Sequence, residues 1–339
     1  MIIPLFFNYL ILISLSLATK EIRNNGIITC FVTLSLILIA TFRSTESPDY
    51  ENFLELYDFE FEYKEIGYLY LIKVGKSIFN SPLSMFFLSA LMSISLKIFV
   101  IEKISPFFFI SLVVYVSNIF ILHDMIQMRC AIASGFIMWA VYYYCKGKNI
   151  LSLLISLVSI LFHYSAIIIF VVYLFDKSTF NRRVAITILF GSFLIASLGL
   201  RFGNLWSYIT FGEFARLWDT YSQKMESGEM DQINIYNAFF LVRVFVCTLL
   251  VFSYKKIISH GSVYVVALKM YVFSICIFLL FSDVPVLAFR LSELFQVVEV
   301  VLFPSIVFLF KNHTAGKLFV ITLASLFIMV NIFYNELVL

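Results

Sequence analysis

The sequence contains few charged residues. Asp, Glu, Lys and Arg make up 13% of its 339 residues, whereas hydrophobic residues make up 62% and 40 residues are Phe. A single core cannot bury that much apolar surface in a chain of this length. The composition therefore excludes a soluble globular protein and indicates an integral membrane protein with small soluble loops.

The sequence also lacks the common motifs of nucleotide, metal and redox sites. It contains no Gly-rich phosphate loop, no HExxH, no Cys-x-x-Cys and no low-complexity tract. Its five cysteines lie in or beside apolar segments and lack metal-site spacing: Cys30, Cys130, Cys145, Cys247 and Cys276. We therefore predict no metal, no cofactor and no nucleic-acid partner, and we do not expect this chain to drive ATP-dependent transport alone.

Ten apolar segments each approach the roughly 20 residues that cross a hydrocarbon core. They are 2–19, 26–42, 83–101, 104–122, 130–145, 184–200, 236–254, 263–281, 286–310 and 316–335. The apolar segment 149–175 is long for one span and short for two, so we predict a broken helix or re-entrant hairpin there. The predicted fold is an all-α, polytopic integral membrane helix bundle with about 10–12 transmembrane helices, forming a single domain over residues 1–339.

Basic residues indicate the orientation of the spans. The short loops that carry Lys alternate consistently: Lys20 with Arg23, Lys103, Lys146 with Lys148, Lys177 with Arg182 and Arg183, Lys255 with Lys256, and Lys311. The positive-inside rule assigns these loops to the cytoplasm. Both ends of the chain and two long loops, 43–82 and 201–235, are then expected on the outer side.

Arginine is distributed differently from lysine. On this topology six of the nine arginines lie at or near the outer face: Arg43, Arg129, Arg201, Arg216, Arg243 and Arg290. The positive-inside rule predicts few cations there. Guanidinium groups bind phosphate bidentately and stay charged when desolvated, which favours an anionic ligand. For any single arginine, snorkelling or an ordinary loop ion pair is the alternative.

The first long loop combines aromatic and acidic residues. It contains Asp49-Tyr50, and aromatic and acidic residues alternate over 57–63. An extended chain would place the aromatic rings on one face and the carboxylates on the other. Such a strip is typical of the bilayer interface, or it covers a substrate whose sugar rings stack on the aromatic faces. The apolar helix that follows, 66–80, begins with Glu65-Ile-Gly67-Tyr68 and is predicted to lie in the interface.

Charged residues within the spans are candidate site residues, because a charge in hydrocarbon is costly and usually functional. Arg129 lies at the outer start of the 130–145 span, and Arg243 lies about two turns inside the 236–254 span. Arg290 and Glu293 are one helical turn apart, so they either pair with each other or hold a phosphate and an acceptor hydroxyl. Glu299 is deeper on a different face, where we expect a polar contact between helices.

His163 lies in the middle of the predicted break. Histidine exchanges protons near neutral pH, although a histidine in a helix bundle is also commonly a structural hydrogen-bonding residue. The small residues Ser165 and Ala166 follow it and permit close backbone approach, which favours a break over a regular lipid-facing helix.

These motifs together resemble those of a known family. In order they are Arg43 with Asp49-Tyr50, Glu65-x-Gly67-Tyr68, Arg129-x-x-x-Ala133, Phe162-His163-x-Ser165-Ala166 and Arg290-Leu-x-Glu293. The set resembles the EpsG-like exopolysaccharide and O-antigen polymerases of the Wzy class over about residues 40–310. Cys130 and Leu294-Phe295 depart from the usual pattern, which has Gln and Tyr-Phe there.

The resemblance implies a membrane glycosyltransferase of the GT-C type in the bacterial inner membrane, with its site and both long loops facing the periplasm. A growing glycan on undecaprenyl diphosphate would be transferred to one lipid-linked repeat unit, and a chain-length regulator is a further partner. Because arginines can replace a metal and the sequence has no convincing metal-ligand cluster, we predict a metal-independent, inverting displacement. Arg129 and Arg290, assisted by Arg43 or Arg243, would hold the diphosphate. The candidate bases are Asp49, Glu65 and His163, with Glu293 near the acceptor hydroxyl and Tyr50 and Tyr68 near the sugar.

Three other functions fit parts of this pattern. An O-antigen ligase differs only in its acceptor. A flippase for lipid-linked oligosaccharides would be expected to show an internal repeat, which this sequence lacks. A membrane acyltransferase would be expected to carry a catalytic His-Asp pair on the cytoplasmic side, whereas His123-Asp124 is predicted to be external.

Overall fold

The computed structural model describes residues 2–18, 26–59, 65–200, 223 and 233–338, and this part of the chain is helical, without strands. The α-helices are α1 Ile2–Ala18, α2 Gly26–Thr41, α3 Tyr50–Phe59, α4 Ile66–Phe79, α5 Pro82–Ile104, α6 Phe108–Val114, α7 Met128–Cys145, α8 Asn149–Phe162, α9 Arg182–Ser197, α10 Ala238–Phe252, α11 Tyr254–Ile258, α12 Ser262–Leu280, α13 Pro285–Gln296, α14 Glu299–Ser305 and α15 His313–Met329. The π-helices Tyr115–Asp124 and Val330–Tyr334 extend α6 and α15, and the 3-10 helices are Tyr164–Leu174 and Ile306–Leu309.

The helices have the composition of membrane spans but differ in length. Within the described ranges, α5, α12 and α15 with its π-helical end are long and apolar enough to cross a membrane. The pair formed by α13 and the segment beginning with α14, bent by 56°, adds a fourth if it is one broken span and not a re-entrant loop. Six further apolar helices have 10–17 residues. A helix of 17 residues is about 26 Å long, against a hydrocarbon core of about 30 Å. The predicted all-helical membrane bundle is confirmed, and the count of 10–12 spans stays a prediction.

The described loops that carry Lys, or residues beside them, meet at one end of the bundle. Ser262 Oγ donates to the carbonyl of Cys145 at 3.3 Å, and His260 stacks on Phe308. His313, after Lys311, packs against Phe107, which follows Lys103. Lys317 Nζ reaches the carbonyl of Ser16 at 2.8 Å, at the end of α1. The alternation predicted from the loops is therefore present in the structure, and we call this end the lysine end.

The segment 149–175 is a broken helix that folds back on itself, as predicted. His163 interrupts it with extended backbone angles (φ −156°, ψ 115°) between α8 and the 3-10 helix. The Tyr173 hydroxyl hydrogen-bonds to Ser152 Oγ at 2.7 Å and Ser156 Oγ at 2.9 Å, so the two arms are antiparallel. The tip of this hairpin lies within the bundle, because His163 is buried there.

The predicted extended strip of aromatic and acidic residues is wrong where the structure describes it. Residues Tyr50–Phe59 form α3, in which Phe53, Leu56 and Tyr57 are buried. Their spacing places them on one helical face, so burial of that face outweighs the alternating pattern. Residues 60–63 of the strip lie outside the described residues, as do residues 201–222 and 224–232 of the second long loop.

Helix α4 packs antiparallel to the first half of α5. Gly75 lies against Ser84, and Ser89 Oγ is 3.4 Å from the Tyr68 hydroxyl. At its other end, Gly67 lies directly on the backbone of Leu161 in α8. This contact brings Glu65, the residue before α4, to the tip of the hairpin. The predicted interfacial position of α4 relative to the bilayer stays a prediction.

The contact at Gly67 leads to a test of this packing. A Cβ atom at position 67 would lie 2.9 Å from the Leu161 carbonyl oxygen, closer than side chains tolerate. We expect Gly67→Ala to lower the free energy of unfolding by about 1–3 kcal/mol, the usual cost of overpacking. Thermal unfolding in detergent measures this. The matched control is Gly191→Ala in α9, where the new methyl group meets open space and alanine favours the helix; equal stability of both variants would contradict the packing.

Candidate functional site

Glu65 is the centre of the candidate site. Its side chain is buried, with Oε2 2.8 Å from Arg129 Nη1 and Oε1 2.9 Å from His163 Nδ1. The Tyr164 backbone N–H also donates to Oε1, at 3.1 Å. One carboxylate therefore joins the starts of α4 and α7 to the break after α8.

The broken helix explains why a carboxylate belongs at this position. A helix that begins inside a bundle leaves backbone N–H groups without intrahelical partners. Tyr164 is the first residue of the 3-10 helix, and Glu65 accepts its N–H. The arginine balances the carboxylate charge, and it retains access to solvent because its side chain is 32% exposed.

The hydrogen bond to Glu65 orients the His163 ring. A carboxylate accepts hydrogen bonds only, so Nδ1 is assigned the proton in the neutral imidazole. Among the described residues, Nε2 of His163 forms no hydrogen bond. The ring therefore presents a basic nitrogen on the side opposite the carboxylate.

Arg290 and Glu293 lie near this cluster on α13. The exposed Arg290 and Asp49 are both within electrostatic range of Arg129. Glu293 is buried against Gln127, and its Oε2 atom forms no hydrogen bond within the described part of the chain. The structure thus combines two accessible guanidinium groups with a buried carboxylate that has an unused oxygen.

The predicted aromatic residues pack beside the cluster. Tyr50 stacks on Phe86 with centroids 5.1 Å apart. Tyr68 is fully buried, and its hydroxyl contacts Met128 Sδ at 3.8 Å. Phe53 lies under the Arg129 guanidinium at 5.9 Å. The fully buried Tyr68 belongs to the wall of the site, whereas Tyr50 remains partly accessible.

Arg43 does not join the other arginines. Its buried guanidinium donates to the carbonyls of Ala40 at 2.9 Å, Met125 at 2.5 Å and Asp124 at 3.2 Å. Burial lowers the pKa of Arg43 to about 10, which leaves it protonated at neutral pH. These contacts occupy three of the five guanidinium N–H donors that were expected to bind a diphosphate.

Arg243 is also directed elsewhere. Its Nε atom lies 3.7 Å from Glu299 Oε1, and its guanidinium lies over Phe239 and Phe327. Glu299 further accepts from Asn118 at 3.0 Å and Gln296 at 2.9 Å. The predicted role of Glu299 as a polar contact between helices is confirmed.

The bundle contains a buried ion pair that was not predicted from the sequence. Lys97 Nζ lies 2.8 Å from both carboxylate oxygens of Asp124, and both side chains have no exposed surface. Tyr115 donates to the same carboxylate at 2.7 Å. The π-helix buries both His123 and Asp124 within the bundle, and their predicted place on the outer side of the membrane stays a prediction. A lysine within an apolar span was the signal available in the sequence.

A comparison with known proteins identifies the family. A model of the EpsG family matches residues 26–338. The chain belongs to the EpsG family. This is the family of exopolysaccharide and O-antigen polymerase-like proteins, so the resemblance found in the motifs is confirmed. No match was found among curated proteins or among solved structures.

The Glu65 contacts lead to a prediction about stability. In Glu65→Ala the Arg129 charge and the Tyr164 N–H lose a buried acceptor, so we expect the free energy of unfolding to fall by about 2–4 kcal/mol. Thermal unfolding checks this. The exposed Glu46 provides the matched control, because Glu46→Ala removes the same side chain without a buried partner. A Glu65 variant as stable as the control would show that the carboxylate does not hold these three elements together.

Proposed function

We propose that this EpsG-family protein is a polysaccharide polymerase that transfers a growing glycan from undecaprenyl diphosphate to a lipid-linked repeat unit. Family membership supports a polymerase-type function. The observation that carries the chemistry is the Glu65 carboxylate shared by Arg129 and His163, with Arg290 nearby. It combines a cationic group for a diphosphate with a histidine held for proton transfer.

His163 is the general base in this proposal. The acceptor hydroxyl gives its proton to Nε2, and its oxygen forms a bond to the anomeric carbon of the donor. Glu65 holds Nδ1 and stabilises the imidazolium that results, as the carboxylate does in other carboxylate–histidine pairs. Among the three candidates of the sequence analysis, Glu65 is less suited because its oxygens already accept from Arg129, His163 and Tyr164.

Arg129 and Arg290 bind the leaving group. As the new bond forms, the bond between the anomeric carbon and the phosphate oxygen breaks, and negative charge grows on the diphosphate. Two guanidinium groups stabilise that charge without a metal. Attack from the side opposite the leaving group inverts the anomeric centre. Glu293 Oε2, which has no hydrogen bond within the described residues, accepts from a second hydroxyl of the acceptor and orients it.

The charge distribution supports an orientation in the membrane. The lysine end faces the cytoplasm of a bacterial inner membrane, and the site opens to the periplasm. Nucleotide sugars are confined to the cytoplasm, so a donor used outside arrives already activated on a lipid. A GT-C-type bundle of ten to twelve spans, with local thinning of the bilayer around the shorter helices, completes this proposal.

The decisive experiment uses the purified protein in lipid vesicles with its cognate undecaprenyl-diphosphate-linked repeat unit and excess chelator. A ladder of increasing repeats on a gel is the expected result. Unchanged substrate would favour a ligase or a flippase, and a ladder that requires Mg²⁺ or Mn²⁺ would overturn metal independence.

The same ladder assay tests the role of His163. We expect His163→Ala to lower the rate of polymerisation by about 10²–10⁴, the usual contribution of general-base catalysis.

Arg129 provides a second test of the site. Lysine keeps the charge but lacks the planar fork that binds phosphate and carboxylate bidentately. We expect Arg129→Lys to be nearly as inactive as Arg129→Ala in the ladder assay, with loss of about 10²-fold or more in rate. The control is Lys146→Arg, which exchanges one basic residue for another at the exposed lysine end, away from the site, and is expected to keep full activity. Full activity of Arg129→Lys would mean that a simple positive charge suffices.

A further inference from the structure

The buried Lys97–Asp124 ion pair lies in the bundle without direct contact to the proposed reacting groups. Both side chains are fully buried, and Tyr115 supplies a third contact to the Asp124 carboxylate. An ionisable pair buried within membrane helices is costly, so such pairs are usually retained for a function. The position of Asp124 in the chain indicates which function.

Asp124 is the last residue of the π-helix Tyr115–Asp124, and its backbone carbonyl accepts a hydrogen bond as well as its side chain. The final carbonyl groups of a helix lack intrahelical partners. Here the Arg43 guanidinium is the partner of these carbonyl groups, because it donates to the carbonyls of Asp124 and Met125. The end of the π-helix is therefore held by two residues, Lys97 of α5 and Arg43, which lies two positions after the end of α2.

The residues that follow this fixed point belong to the proposed site. Gln127 contacts the Glu293 carboxylate, and Arg129 pairs with Glu65. Only a short turn separates Asp124 from α7, which begins at Met128. Fixing Asp124 therefore fixes the position of the first turn of α7 along the helix axis and its rotation about that axis. π-helical segments frequently occur at functional sites, where they place side chains that a regular helix would not.

We infer that Lys97, Asp124 and Arg43 are positioning residues that hold the start of α7 so that Arg129 and Gln127 face the substrate. The inference rests on the function proposed above. Arg43 was expected from the sequence to bind the diphosphate directly. In this inference it instead positions Arg129, which binds the diphosphate. The three residues form what we call the brace.

The first test removes the ion pair as a unit. Lys97→Met/Asp124→Leu leaves neither charge buried alone, so the chain is expected to fold. We expect kcat in the ladder assay to fall at least tenfold while KM for the acceptor stays within twofold. The matched control is Asn8→Leu/Ser35→Ala, which removes a polar contact between α1 and α2 and is expected to leave kcat unchanged. Wild-type kcat in the folded double variant would overturn the inference.

Arg43→Lys tests the brace if the double variant does not fold. Lysine keeps the cation but cannot donate to three carbonyl groups in the geometry of guanidinium. We expect a tenfold lower kcat with little change in KM for the acceptor. A kcat within twofold of the wild type would contradict the positioning role of Arg43.

A geometric measurement separates this inference from the proposed function. In a background without native cysteines, Gln127→Cys/Glu293→Cys is treated with a short thiol crosslinker. We expect efficient crosslinking when the brace is intact and at least a fivefold lower rate when Lys97→Met/Asp124→Leu or Arg43→Lys is added. This holds whether or not the wild type polymerises, so a missing ladder would count against the function alone. Unchanged crosslinking would overturn the positioning role.

Discussion

The arrangement of the candidate site depends on one buried carboxylate. A carboxylate removed from water requires compensating donors, and Glu65 receives them from Arg129, His163 and the Tyr164 backbone. These donors come from two separate places in the chain, the start of α7 and the break after α8, so satisfying Glu65 fixes the starts of α4 and α7 relative to that break. The close approach at Gly67 follows from the same requirement, since Glu65 reaches the break only if α4 begins against the Leu161 backbone.

The arginines of the predicted outer face divide according to what their donors already hold. Arg43 is engaged with three backbone carbonyls, and Arg243 lies beside Glu299 between aromatic rings. Arg129 and Arg290 keep exposed surface on the side of the site. All four are arginines that the sequence places at or near the outer face, so the sequence does not distinguish them. Only the structure separates the arginines that organise the protein from those positioned for a ligand.

Much of the architecture was predictable because its causes are local. Apolar length and alternating lysines gave the helical membrane bundle with its lysine end, and the polar residues around His163 gave the broken helix. The tertiary partners were not predictable in this way. The alternating aromatic and acidic residues indicated an extended strip, but the i, i+3 and i+4 spacing of Phe53, Leu56 and Tyr57 produces α3 once a core is present to bury it. The Lys97–Asp124 pair joins residues 27 positions apart, and no pattern in the sequence specifies that contact.

The proposed reacting groups lie where helices are interrupted, and the physics of a low-dielectric interior explains why. Helix ends inside a bundle expose backbone donors and acceptors that water does not reach, so polar side chains must collect there. Glu65 precedes α4, Arg129 lies in the first turn of α7 and His163 separates two helical arms. Once polar groups have gathered to satisfy the interrupted backbone, only a donor or acceptor with spare capacity is needed to bind a substrate. The Nε2 atom of His163 and the Oε2 atom of Glu293 have that capacity within the described structure. The interruptions that make this bundle irregular are therefore what makes a polar site possible within it.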